Sequence, residues 1–141
     1  MIYTDLTKAA MKLCYKAHHG QVDKSGIPYV FHPIHLAEQM QDELTTVTAL
    51  LHDVVEDTDY TFEDLQEMGY PTQVLEALKL LTHDPVVSYM EYVERIKSNP
   101  IARTVKLADL KHNSDLSRLH VANEADILRI QKYSDAIEHL I

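Results

Sequence analysis

The sequence predicts an all-α fold, a single helical bundle of about seven or eight helices. Three observations carry this. Apolar residues recur at helix-face spacing along almost the whole chain. No stretch of useful length alternates polar and apolar residues as a half-buried strand does. Breakers are few, with three glycines and five prolines in 141 residues.

Taken in order, Thr4 can cap a first helix through "DLTKAAMKLCYKAHH", which Gly20 stops. The polar loop "GQVDKSGIPYVF" follows. Pro33 then suits the first position of a short helix, "PIHLAEQM", because its missing N–H has no intrahelical partner there in any case. "TTVTALLHDVVED" reads as one continuous helix. Thr61 and Asp64 in "TFED" form a capping-box start for a short helix that ends near Gly69. Pro71 opens "PTQVLEALKLLT", Ser88 opens "SYMEYVERIKSN", and Pro100 opens a long helix, "PIARTVKLADLKHNSDLSRL". Asn123 begins the terminal helix, "EADILRIQKYSDAIEHLI".

Composition narrows the function classes. A length of 141 residues, 45% hydrophobic and 25% charged, fits one water-soluble domain spanning residues 1–141. No apolar run approaches a membrane span, and the start "MIYTDLTKAAMK" carries Asp5 where a signal peptide would be apolar. The expectation is therefore no membrane partner. Cys14 is the single cysteine, which excludes an internal disulfide and points to a reducing cytoplasm. The net charge of −9 argues against nucleic-acid binding, which needs clustered Lys and Arg. A small anionic substrate stays open, since a metal ion can reverse the local field of an acidic protein. Homo-oligomerisation also stays open.

The stretch "ALLHDVVEDT" sets the functional question, because His52, Asp53, Glu56 and Asp57 interrupt an otherwise apolar helix. Unpaired charges in a dry core cost several kcal/mol or shift their pKa values until they neutralise. On a continuous helix, His52 lies above Glu56 and Asp53 above Asp57. One reading is a solvated acidic face with an incidental histidine. The other is a pair of polar columns that serve one metal ion. "FHP" adds His32 at a helix start. "VKLADLKHN" adds Asp109 beside an apolar stripe of Ile101, Val105, Ala108 and Leu116, where a carboxylate needs a partner. Asn113 stands one turn further on, and His112 is a weaker candidate than Asp109. His18, His19, His35, His83, His120 and His139 suit surface or packing roles. The set His32, His52, Asp53 and Asp109 mixes imidazoles with carboxylates. That is neither a Cys-rich structural zinc site nor an all-oxygen calcium site. It suits manganese, iron, cobalt or zinc in a hydrolytic role.

The order H…HD…D resembles the HD-domain metal-dependent phosphohydrolases. Three longer blocks are more specific. "AHHGQVDKSGIPYVFHP", "ALLHDVVEDT" and "VKLADLKHN", spread over residues 17–113, resemble successive blocks of the Rel/Spo-type alarmone hydrolases. Those enzymes remove the 3′-pyrophosphate from guanosine tetra- and pentaphosphate. The resemblance implies Mn²⁺ on His32, His52, Asp53 and Asp109, and a catalytic acidic pair in Glu56 and Asp57. It also implies a nucleotide-contacting loop with Lys24 and Ser25, and a polar group near sugar and phosphates in Asn113. Longer members carry a synthetase domain for which this length leaves no room, so the expectation is a stand-alone hydrolase. Two departures stand out. Asp23 occupies a position where the family usually has Arg, and Asp115 and Leu116 follow "KHN" where Arg-Thr is usual. Two alternatives accompany this reading: the same site acting on another nucleotide or a phosphorylated cofactor, or a non-catalytic alarmone-binding sensor.

Overall fold

A computed structural model describes residues 1–119 and 121–141; His120 lies outside the described residues. These residues form nine α-helices and a short 3-10 helix. The α-helices are α1 (Asp5–Ala17), α2 (Phe31–Glu38), α3 (Glu43–Leu51), α4 (Val54–Asp57), α5 (Phe62–Glu67), α6 (Thr72–Leu81), α7 (Tyr89–Lys97), α8 (Pro100–Asn113) and α9 (Glu124–Leu140). The 3-10 helix covers Leu116–Arg118. The all-α expectation holds, and no strand occurs among the described residues beyond an isolated Val22–Pro28 bridge. None of the described helices is long and apolar enough to cross a membrane.

Most starts follow local capping chemistry. Thr4, Thr61 and Asn123 each accept a backbone N–H of their own first turn and close a capping box with Thr7, Asp64 and Asp126. Ser88 and Asn99 cap α7 and α8 in the same way on one side only. Three boundaries differ from the sequence expectation. The second helix begins at Phe31, so Pro33 is its third residue, still inside the turn whose N–H groups lack partners. The eighth stops at Asn113, and Leu116 leaves the expected apolar stripe to lie 48% exposed on the 3-10 helix. The third change matters most. The helix expected across residues 45–57 is broken: α3 ends at Leu51, Asp53 leaves helical geometry with φ −109° and ψ 2°, and α4 restarts from it. His52 and Glu56 therefore do not share one helical column.

The helix α3 is the centre of the bundle, packed by α1, α2, α6 and α8. Residues 45–51 are all buried, as expected of a helix surrounded by protein on every side. Its threonines are tolerated because Thr46 donates to the Asp42 carbonyl at 2.6 Å and Thr48 to the Leu44 carbonyl at 2.8 Å. The last helix, α9, lies on α7 and α8, and Arg103 of α8 donates to the Leu140 and Ile141 carbonyls at its end.

If α3 is the centre of the core, Leu50→Ala should cost about 2–5 kcal/mol, since Leu50 is wholly buried. Leu128→Ala on the outer face of α9, where Leu128 is 71% exposed, should change stability by about 0.5 kcal/mol at most. Urea unfolding of both variants checks the contrast.

Candidate metal centre

The side chains of His32, His52, Asp53 and Asp109 meet where α2, α3 and α8 pack together. His32 stands in the first turn of α2, its backbone N–H bonded to the Tyr29 carbonyl at 3.0 Å. His52 follows the last residue of α3 and is 4% exposed. Asp109 is carried by α8 and is 7% exposed. Its Oδ1 lies 2.8 Å from His32 Nε2 and 3.5 Å from His52 Nε2, and Asp53 Oδ2 lies 3.0 Å from that same His52 nitrogen. Donor atoms of His32, His52 and Asp109 all fall within 4.8 Å of one another. Those of Asp53, Glu56 and Asp57 form an adjoining group at the same spacing.

One detail of His52 tests whether a cation fits. Its Nδ1 lies 2.7 Å from the Ala49 carbonyl, an acceptor only, so Nδ1 carries the proton and donates. The other nitrogen, Nε2, is buried and has no hydrogen-bond partner among the described residues. It faces two carboxylates, an arrangement that calls for positive charge. Burial opposes charging of this ring, yet Asp53 and Asp109 outweigh burial and hold its pKa well above the ordinary value. A divalent cation satisfies the same demand, and imidazole nitrogen with carboxylate oxygen is a suitable donor set.

The groups around the cluster orient it. Burial lowers the pKa of His32, with a partial offset from Asp109, so the ring favours its neutral, ligand-competent form. Its Nδ1 meets His112 Nδ1 at 2.7 Å, and the two rings stack with centroids 4.9 Å apart. Burial, helped by Arg118, pushes His112 down to about 4, so it too is neutral near pH 7. Asp109 is far from the surface, but Lys106 Nζ contacts its Oδ2 at 3.0 Å and Asn113 Nδ2 donates to its Oδ1 at 3.0 Å. Burial opposes its charge, but Lys106, His32 and His52 together outweigh burial and hold its carboxyl well below the ordinary range. Tyr29 donates its hydroxyl to Asp53 Oδ2. Such outer partners fix ligand orientation as much as the ligands themselves do.

Glu56 and Asp57 sit at the solvent side of this cluster. Glu56 Oε1 accepts the His83 backbone N–H at 3.0 Å. Partial burial of its carboxyl, together with the charges of Asp53 and Glu56, pushes Asp57 up to about 6. Lys24, Ser25 and Asn113 do not join the metal group. They line an adjacent cleft of about 360 Å³, which Arg118 and Arg129 also line. Lys24 pairs with Asp126 at 3.4 Å and Ser25 Oγ donates to the Arg118 carbonyl at 2.6 Å.

Tyr29, Lys106 and Arg118 were not singled out by the sequence reading. A signal existed for the first two: Tyr29 and Lys106 each stand three residues before His32 and Asp109, Lys106 one helical turn away on α8 and Tyr29 in the turn that leads into α2. His18, 2% exposed and bonded through Nδ1 to Gln21 Oε1, takes the packing role rather than the surface one.

No protein-family model matches the chain. It is 35% identical over 122 residues to a guanosine-3′,5′-bis(diphosphate) 3′-pyrophosphohydrolase of Spiroplasma citri, an alignment spanning 74% of this chain and 16% of that protein. It is 34% identical over 116 residues to a GTP pyrophosphokinase of Streptomyces coelicolor, spanning 74% of this chain and 14% of the relative. It is 46% identical over 56 residues to the bifunctional (p)ppGpp synthase/hydrolase SpoT of Escherichia coli, spanning 37% of this chain and 8% of the relative. The chain thus covers a small fraction of the length of these relatives. A solved structure of a metazoan SpoT ortholog, described as hydrolysing ppGpp, superposes with a TM-score of 0.80 at 24% identity. That match covers 99% of this chain and 87% of the other, and the two share the fold. The resemblance to Rel/Spo-type hydrolases read from the three blocks holds.

Because Lys106 neutralises a carboxylate that is almost wholly buried, Lys106→Ala should destabilise the metal-free protein by about 3–5 kcal/mol. Adding Asp109→Asn should recover part of that loss, since no buried charge is then left unpaired. A double-mutant cycle by urea unfolding measures the coupling.

Proposed function

We propose that this homologue of the Rel/Spo-type hydrolases removes the 3′-pyrophosphate of guanosine tetra- and pentaphosphate, giving GDP or GTP and pyrophosphate, with Mn²⁺ held by His32, His52, Asp53 and Asp109. The observation that carries the reading is the buried Nε2 of His52, which makes no well-formed hydrogen bond and faces carboxylate oxygens of Asp53 at 3.0 Å and Asp109 at 3.5 Å. The named activities of the relatives from Spiroplasma citri and Escherichia coli supply the reaction. When bound, the cation supplies Lewis-acid polarisation of the phosphoryl group.

The chain's own residues supply the rest. Water attacks the phosphorus that bears the 3′ oxygen; a new P–O bond forms and the bond to the 3′ oxygen breaks. Glu56 and Asp57 stand where they can take the proton of that water and return one to the leaving oxygen. In the metal-free protein, burial and the charges of Asp53 and Glu56 raise the Asp57 carboxyl to about 6, so this acidic pair exchanges protons readily. Lys24, Ser25 and Asn113 line the neighbouring cleft that takes the nucleotide. We further infer a cytoplasmic enzyme, which the single Cys14 supports, with no nucleic-acid partner, which the net charge of −9 supports. Residues 1–141 act in this reading as one phosphohydrolase domain.

The direct test offers the Mn²⁺-loaded protein guanosine tetraphosphate and reads pyrophosphate against orthophosphate. Release of pyrophosphate is expected; its absence defeats the reading.

Metal analysis of protein purified without chelator should give one ion per chain, lost in His52→Ala and in Asp109→Ala. A chelator that strips the ion should also lower the melting temperature, since close carboxylates are then left uncompensated. Full metal content in both variants would remove these residues from the site.

Replacing Glu56 by Gln, or Asp57 by Asn, keeps shape while removing the proton-transfer function. Turnover should fall by about 10²–10⁴-fold, with metal content and calorimetric nucleotide affinity retained. Unchanged turnover in both would take the acidic pair out of the mechanism.

A further inference from the structure

Two clefts open beside the metal group, of about 400 Å³ and 360 Å³. Each is large enough for part or all of a nucleotide, by the ~300–1,000 Å³ usual for small-molecule sites. They share one wall, formed by Asp23, Tyr29 and Arg118. In the larger cleft Arg118 is the one Lys or Arg among the described lining residues; in the smaller it is joined by Lys24 and Arg129. An anion entering either cleft therefore meets Arg118.

The guanidinium is held in place without being used up. Its Nη1 donates to the His112 carbonyl at 2.9 Å and to Asn113 Oδ1 at 3.2 Å. Its Nη2 lies 3.8 Å from Asp23 Oδ2, close enough for attraction and too far for a hydrogen bond. Asp23 is fixed in turn, because its Oδ1 accepts the backbone N–H groups of Ser25 at 2.8 Å and Ile27 at 3.0 Å. The result is a positioned guanidinium whose outer donors are only partly satisfied, the form that binds phosphate oxygens well. Through Asn113, which also donates to Asp109, Arg118 stands two hydrogen bonds from the metal group. Asp23, which stands where the family resemblance leads one to expect Arg, faces a cation supplied five residues after Asn113.

We propose that Arg118 is a specificity-determining residue that grips a phosphate group of the substrate, and that Asp23 moderates the grip by competing for the same guanidinium. The proposal rests on the hydrolase reading for its nucleotide and goes beyond it in assigning the selection of phosphorylated ligands to this pair.

The test is calorimetric binding of GDP and of guanosine to the metal-loaded protein, freed of unbound metal, for the parent, Arg118→Ala, Arg118→Lys and Asp23→Asn. The parent should prefer GDP. Arg118→Ala should weaken GDP on the order of 10- to 100-fold and leave guanosine unchanged, the loss of a charge-assisted contact. Arg118→Lys should fall between, and Asp23→Asn, which keeps the acceptor for Ser25 and Ile27, should tighten GDP several-fold. A merely structural arginine gives a different pattern: GDP and guanosine weaken together, and Asp23→Asn weakens both. That pattern overturns the proposal, as does a parent without preference for GDP, including one that binds neither ligand. If Arg118→Ala does not fold, Asp23→Asn and Arg118→Lys decide by the same signs. The hydrolase reading fails separately, when the parent releases no pyrophosphate from guanosine tetraphosphate.

Discussion

Asp109 brings a carboxylate to the junction of α2, α3 and α8, with 7% of its surface left to solvent. A charge so placed costs several kcal/mol unless its surroundings compensate it, and the local structure is organised around that compensation. Lys106 and Asn113 reach it from its own helix, His32 from α2, and His52 from the end of α3. Removing any one of these shifts the burden to the others. The same constraint explains why α3 is buried on all sides: it delivers His52 to the one place where an imidazole nitrogen can face both Asp109 and Asp53.

That delivery requires the chain to leave the helix. Had α3 continued through residue 57, His52 and Asp53 would point about 100° apart around one axis, with Glu56 and Asp57 stacked over them. Instead Asp53 takes a non-helical conformation and turns back on His52, and its carbonyl accepts the Asp57 N–H at 2.9 Å to start α4. The acidic pair thereby comes to the solvent edge of the cluster, beside Asp53. Tyr29 holds Asp53 in this arrangement through its hydroxyl. Backbone irregularity and site chemistry are here one feature.

What the sequence made legible was local. Capping residues such as Thr4, Thr61, Ser88 and Asn123 act within one turn, so their helices could be placed closely. The grouping of His52, Asp53 and Asp109 could be anticipated because each is a polar residue on an otherwise apolar helix and needs a partner, while His32 is marked by "FHP" at a helix start and by the block resemblance. The break after Leu51 could not, since no glycine or proline marks it and the apolar spacing runs on through Val54 and Val55; the contacts of Asp53 with Tyr29 and of His52 with Asp109 that accompany it are tertiary. The links from Ser25 to Arg118 and from Lys24 to Asp126, 93 and 102 residues apart, leave no periodic trace. The role of α9 in walling the smaller cleft was hidden for the same reason.

We propose that His32, His52, Asp53 and Asp109 together bind one divalent ion. Diffraction from Mn²⁺-loaded crystals at the manganese absorption edge tests it most directly. A single strong anomalous peak is expected at coordination distance from the Nε2 atoms of both histidines and from carboxylate oxygens of both aspartates. A peak confined to Asp53, Glu56 and Asp57, or no peak near His52, would contradict it.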